Sequence, residues 1–171
     1  MNLADAREIA APRTVVWAAI LDPEVLKTCI PGCKELTGTV EDGFEAIVVQ
    51  KVGPVKATFK GEVEVSDIVA GESLTLTGQG KGGPAGFAKG AAKVSFADTD
   101  AGGTLLTYDV EAKVGGKLAQ LGSRIIDGFT KKLADQFFER FQDGLEDPIE
   151  AEPEEENEEK PKKGWIGRML G

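Results

Sequence analysis

The chain has no histidine, two cysteines and one tyrosine in 171 residues, and each shortage closes off a class of chemistry. Without histidine no Ser-His-Asp or Cys-His relay can be assembled, and the commonest acid–base side chain is missing. Cys29 and Cys33 form a C-x3-C pair with no histidine and no second cysteine pair to complete it. A four-ligand zinc site would need carboxylates or a second chain, so the pair reads as two structural thiols of a reducing compartment, and no metal is expected. No run approaches about 18 consecutive apolar residues, which excludes a spanning helix but not one lying on a membrane surface. No basic start followed by an apolar run opens the sequence, so no secretory signal is read and a cytoplasmic location is expected. Basic excess is lacking too: the net charge is -9, which argues against nucleic acid as a partner.

What is present fits one packed core with an appendage. Residues 3–9 read as a strand. Pro12 opens a short helix that carries Val16, Ala19 and Ile20 at helical spacing, and Asp22-Pro23 starts a second one that Pro31-Gly32 stops. A run of strands follows over residues 35–40, 44–52, 55–67, 73–77, 87–96 and 104–114. The clearest is 55–67, where apolar or small odd positions alternate with polar even ones, the period-2 mark of a sheet with one wet face. After Gly115-Gly116 the period changes: Leu118, Leu121, Ile125, Phe129, Leu133, Phe137 and Phe141 predict one long amphipathic helix over residues 117–145. Only the sheet is large enough to cover that stripe. The expected fold is therefore α+β, a curved antiparallel sheet wrapped around a long C-terminal helix, spanning residues 1–145.

Beyond this domain the composition shifts twice. Residues 146–160 hold nine acids and one base, too much like charge to collapse, and read as a disordered acidic tether. Residues 161–171 hold three bases and no acid. There Trp165, Ile166, Met169 and Leu170 share one side of a helical turn or two, beside Lys162, Lys163 and Arg168, a tip suited to an anionic membrane interface or to a partner's groove.

Few residues point to catalysis. Glu62 and Glu64 lie on the polar face of a strand, and Glu139 and Asp143 on a helix surface, where solvated charge is the plain reading. Gly78-Gln79-Gly80-Lys81-Gly82-Gly83 matches G-x-G-x-x-G but runs into Pro84 and another strand rather than opening a helix, so it reads as a flexible loop at the mouth of the sheet. The sheet's inward positions are unusually small, and the helix carries Gly122 and Gly128. Small residues there mean either close packing or space, and a roofed apolar space is a ligand site. Its walls would be Ala57, Phe59, Gly61, Phe87, Ala92 and Val94 on the sheet, with Leu118, Leu121, Gly122, Ile125 and Phe129 on the helix.

The element order resembles the START-like (SRPBCC, helix-grip) superfamily. Ala11-Pro12, Val16-Trp17, Leu21-Asp22-Pro23 and Cys29-Ile30-Pro31-Gly32-Cys33-Lys34, with Val52-Gly53-Pro54-Val55 and Phe59-Lys60-Gly61 later, resemble the CoxG family of carbon monoxide dehydrogenase subunits over about residues 1–145. That resemblance implies a non-catalytic accessory protein of a molybdenum hydroxylase such as carbon monoxide dehydrogenase. It further implies peripheral association with the inner face of the cytoplasmic membrane and a link to respiration, a respiratory quinone as the apolar ligand, and no tightly bound cofactor. The alternatives are an assembly factor without ligand and a START-like cyclase or isomerase.

Overall fold

The computed structural model describes residues 1–150, with side chains as far as 145; the tether from residue 151 onward and the whole tip lie outside the described residues. β1 (Asn2–Ile9) leads to α1 (Arg13–Ile20) and α2 (Pro23–Cys29). Then come β2 (Cys33–Thr39), β3 (Gly43–Val52), β4 (Val55–Val69), β5 (Ser73–Lys81), a 3-10 turn (Gly83–Ala85), β6 (Phe87–Asp98), β7 (Thr104–Gly115), α3 (Lys117–Gln120) and α4 (Ser123–Glu150). The described strands form one antiparallel sheet in the order β1-β7-β6-β5-β4-β3-β2. Each hairpin neighbour in sequence is a neighbour in space, and β1 closes beside the last strand.

The local signals act as chemistry requires. Pro12 sits at the N-cap of α1, and the Asp22 side chain accepts a hydrogen bond from the Glu24 backbone N–H at the start of α2, which satisfies one orphan donor of that helix. Between α2 and β2, Gly32 has φ +77, and a Cβ there would lie 2.1 Å from the Val49 carbonyl oxygen. Only glycine lets the backbone come so close to β3, where the Val49 N–H donates to the Gly32 carbonyl at 2.9 Å. The Gln50 side chain fixes the same joint by donating to the Pro31 carbonyl at 2.7 Å.

Two apolar clusters form on the concave side. The larger joins Ile9, Val16, Val25, Leu74, Val94, Phe96, Leu106 and Tyr108 to Phe138, Phe141 and Leu145 of α4. Tyr108 stacks on Phe138 at 5.1 Å, and full burial of such side chains is worth about 1.5–3 kcal/mol each. The smaller, at the other end, is built on Val52, Leu118 and Ile126, with Met1, Val55, Phe59, Val114, Leu121 and Phe129 packed against it.

Three sequence expectations are corrected. The C-terminal helix is not continuous: Gly122 adopts φ +91 and separates α3 from α4. The restart shifts the phase, so that Ile126, Phe138, Phe141 and Leu145 are buried, whereas Ile125 is exposed and Phe137 half-buried. Helical backbone also continues to Glu150, past the expected boundary at 145. Finally, Gly78, Gln79, Gly80 and Lys81 are not loop but the end of β5, paired with β4 and β6; only residues 82–86 turn.

Candidate functional site on the concave face of the sheet

The register places two transverse rows of minimal side chains between the clusters. One runs Ala46, Gly61, Gly80, Ala88 and the next Gly78, Gly90, Ala112. All seven are only half-buried, although they face α4. A Cβ built on Gly61 would meet only two backbone oxygens, at 3.7 and 3.9 Å, and one on Gly80 only the Lys60 carbonyl at 4.0 Å. No atom of α4 comes within 4 Å of either position. The helix backbone makes its close approaches to β1, α2 and β3, while Phe138 and Phe141 reach the central strands within the larger cluster; the open positions are Gly61 and Gly80. The small residues serve two ends: Gly61 and Gly80 have room for a Cβ, whereas at Gly78 and Gly90 a Cβ would lie 3.0 Å from the Glu62 carbonyl oxygen and 2.3 Å from the Glu111 carbonyl oxygen, so those two glycines permit close approach between strands.

The residues expected to wall that space divide into groups. Phe59, Leu118, Leu121 and Phe129 come together in the smaller cluster, at one end of the glycine rows. Gly61 lies in the rows, and Ala92 borders them at the other end, packed against the larger cluster. Val94 is buried within that larger core. Ala57 lies on the lip, in an open groove of about 580 Å³ with Pro54, Val55, Lys56, Pro84 and Lys117. Ile125 is 40% exposed and leans over Gly53, where a Cβ would lie 3.5 Å from its Cγ2. Gly122 has nothing within 4 Å of its Cβ position, being the break rather than a wall. Phe87 stands on the opposite face: it pairs with Lys81 and Gly115, is 43% exposed, and its ring covers Gly115. We call the end holding the β3–β4 turn, residues 82–86 and α3 the mouth.

One polar group also reaches the concave side. Arg7 Nη2 donates to Tyr108 Oη at 3.2 Å and to Asp135 Oδ1, with its guanidinium 5.1 Å from the Phe138 ring centroid. Burial would lower the Arg7 pKa, but the hydrogen bonds to Tyr108 and Asp135 outweigh it and the guanidinium stays charged. The Arg7 hydrogen bond, helped by Lys131, holds the Asp135 carboxyl below its usual range. The pair ties α4 to β1, and the sequence carries no spacing that reveals it.

Neither thiol is activated. Burial pushes Cys29 up to about 12, against a smaller opposing effect of Arg140, and burial also raises Cys33, whose Sγ donates to the Glu35 carbonyl. A thiol held that high is not a nucleophile at neutral pH. Among the described residues no cluster of three or more His, Cys, Asp or Glu could hold a metal ion, and no helix is long and apolar enough to cross a membrane. An open depression of about 760 Å³ lies on the outer face, between Glu62, Glu64, Lys89, Glu111 and Lys113. Its lining carries these five charged side chains and faces solvent.

This is the architecture of a START-like domain, a curved antiparallel sheet gripping a C-terminal helix. A START superfamily protein from Mycobacterium smegmatis shares it with a TM-score of 0.57 at 16% identity, over 82% of this chain and 96% of that one. A conserved protein from Geobacillus kaustophilus matches at a TM-score of 0.80 and 32% identity, over 86% of this chain and 97% of that one. Residues 6–146 match the CoxG family of carbon monoxide dehydrogenase subunits, and the chain belongs to that family. Curated proteins gave no significant match.

Proposed function

We propose that this chain is a non-catalytic accessory protein that takes up an apolar molecule, a respiratory quinone, between the sheet and α4. In this reading it links a molybdenum hydroxylase of the carbon monoxide dehydrogenase type to the cytoplasmic membrane. The observation that carries the reading is the open position at Gly61 and Gly80, where no atom of α4 comes within 4 Å, between two apolar clusters. A flat apolar ring needs such a slot. The family supports the choice of enzyme, and the segment 161–171, with Trp165 and its flanking bases, supports a transient membrane contact, because one short apolar face is a weak anchor.

Filling the slot tests this. Gly122→Phe is unsuitable, since its positive φ strains any side chain. Gly61 and Gly80 each admit a Cβ at ordinary contact distance, so Gly61→Leu and Gly80→Leu should fold while reducing uptake of a quinone analogue by at least ~10-fold, the effect of losing about 1.4 kcal/mol of binding. Undiminished uptake by both folded variants would place the ligand elsewhere.

A further inference from the structure

Charge along the sheet is sorted by strand end. The three segments that build the mouth, residues 51–60, 81–89 and 113–124, contain eight bases and no acid. The three turns at the opposite end, residues 39–43, 66–73 and 98–104, contain six acids and no base. All eight mouth bases are exposed, and among the described residues none of them is in an ion pair. Six stand as lysine directly opposite lysine on neighbouring strands: Lys51 with Lys56, Lys60 with Lys81, and Lys89 with Lys113. Directly opposed like charges destabilise a sheet; Glu62 lies in the same outer-face depressions as the Lys60–Lys81 and Lys89–Lys113 pairs, whereas the groove that holds Lys56 and Lys117 is lined by no acid.

The same end exposes apolar surface. Phe87, 43% exposed, stands among Lys81, Lys89 and Lys113, and Ile125 leans out over the β3–β4 turn. The open groove between Pro54 and Pro84 has a cation on either side, Lys56 and Lys117. Exposed aromatic and aliphatic side chains ringed by bases are what an anionic lipid interface takes. α4 has 28 residues and starts at the mouth, so the chain beyond Glu150 leaves roughly 40 Å away, at about 1.5 Å per residue.

We infer that the mouth docks directly on an anionic lipid bilayer, independently of the terminal tip, with Phe87 and Ile125 entering the interface and the lysines facing lipid phosphates. This rests on the carrier reading for its purpose, because a ligand drawn from a bilayer would pass through this end. It gives the domain an orientation: the acidic end faces away, and the smaller apolar cluster lies between the lipid and the glycine rows.

The test uses co-sedimentation of the full chain, and of the chain lacking residues 161–171, with vesicles of phosphatidylcholine alone or with phosphatidylglycerol, at low and high salt. Lys56→Glu, Lys81→Glu and Lys89→Glu are combined in each background, with Glu72→Lys as the distal control. Losing the tip should weaken binding yet leave salt-sensitive attachment to anionic vesicles. The triple variant should lower that attachment by at least ~10-fold, given about 1 kcal/mol per base near such a surface. Its melting temperature should hold or rise, because each reversal gives Lys51, Lys60 or Lys113 an opposite charge. Glu72→Lys should not weaken binding. Attachment that disappears wholly with the tip, or that the triple variant retains, overturns the inference. If the triple variant keeps its vesicles but loses its hydroxylase, the mouth belongs to a protein partner. Quinone uptake measured on the same samples separates the two ideas: vesicle attachment without uptake removes the carrier reading alone.

Discussion

Single side chains decide how the grip is closed. The Arg7–Asp135 pair joins the edge strand to the helix, and its geometry makes a pH prediction. Asp135 has a folded pKa below its usual value, so its contribution to stability is fully present above the ordinary aspartate range, about 3.9. It is lost as the pH falls through the depressed folded value. Asp135→Asn should therefore melt below the parent at neutral pH, and the gap should narrow as the pH falls below about 4; thermal unfolding across that range reads it. A constant gap would mean that the carboxylate's charge is not what matters. Phe87 makes a different point at this scale. Its size draws it into any sequence-derived list of core residues, yet it shares strand parity with Lys89 and Lys93, and that parity is the better guide to its face.

At the scale of elements, periodicity accounts for most of what the sequence reveals. Strand alternation and helix caps locate β4, β7, α1 and α2, because each is long enough or punctuated sharply enough to override its neighbours. Glycine defeats the method twice. In β5, Gly78 and Gly80 imitate a loop, since the residue type that flexes in a turn is also the one that a sheet uses for close approach, as at Gly78, or for space, as at Gly80. In the C-terminal segment the stripe reads continuously through Gly122, and only its positive φ reveals a restart. The glycines of this segment should respond oppositely to alanine. Gly122→Ala imposes a side chain on φ +91 and should cost about 1–3 kcal/mol. Gly128→Ala, exposed with open space around its Cβ position inside α4, should gain about 0.5–1 kcal/mol. Urea unfolding of both variants checks the pair, and equal signs would contradict this reading of the break.

For the whole molecule, the fold and family were legible because they rest on element order and on the Ile30-Pro31-Gly32-Cys33 joint, whose glycine is required by its contact with β3. The site was legible only in part. Small inward residues were visible, but which of them have room and which press on a neighbouring strand, Gly61 and Gly80 against Gly78 and Gly90, depends on the strand register and spacing, which no local pattern encodes. The charge sorting was present in the sequence throughout and became readable once strand order showed which segments share an end. Together these place the open positions at Gly61 and Gly80 between two apolar clusters, with a basic end beyond the smaller one. The central claim is that the slot carries an apolar ligand. Native mass spectrometry of protein purified without detergent, followed by organic extraction, tests it most directly. The account predicts an adduct of one apolar molecule per chain that the organic solvent removes, that chromatography identifies as a quinone, and that Gly61→Leu and Gly80→Leu proteins lack. Ligand-free protein that also fails to take up added quinone would contradict it.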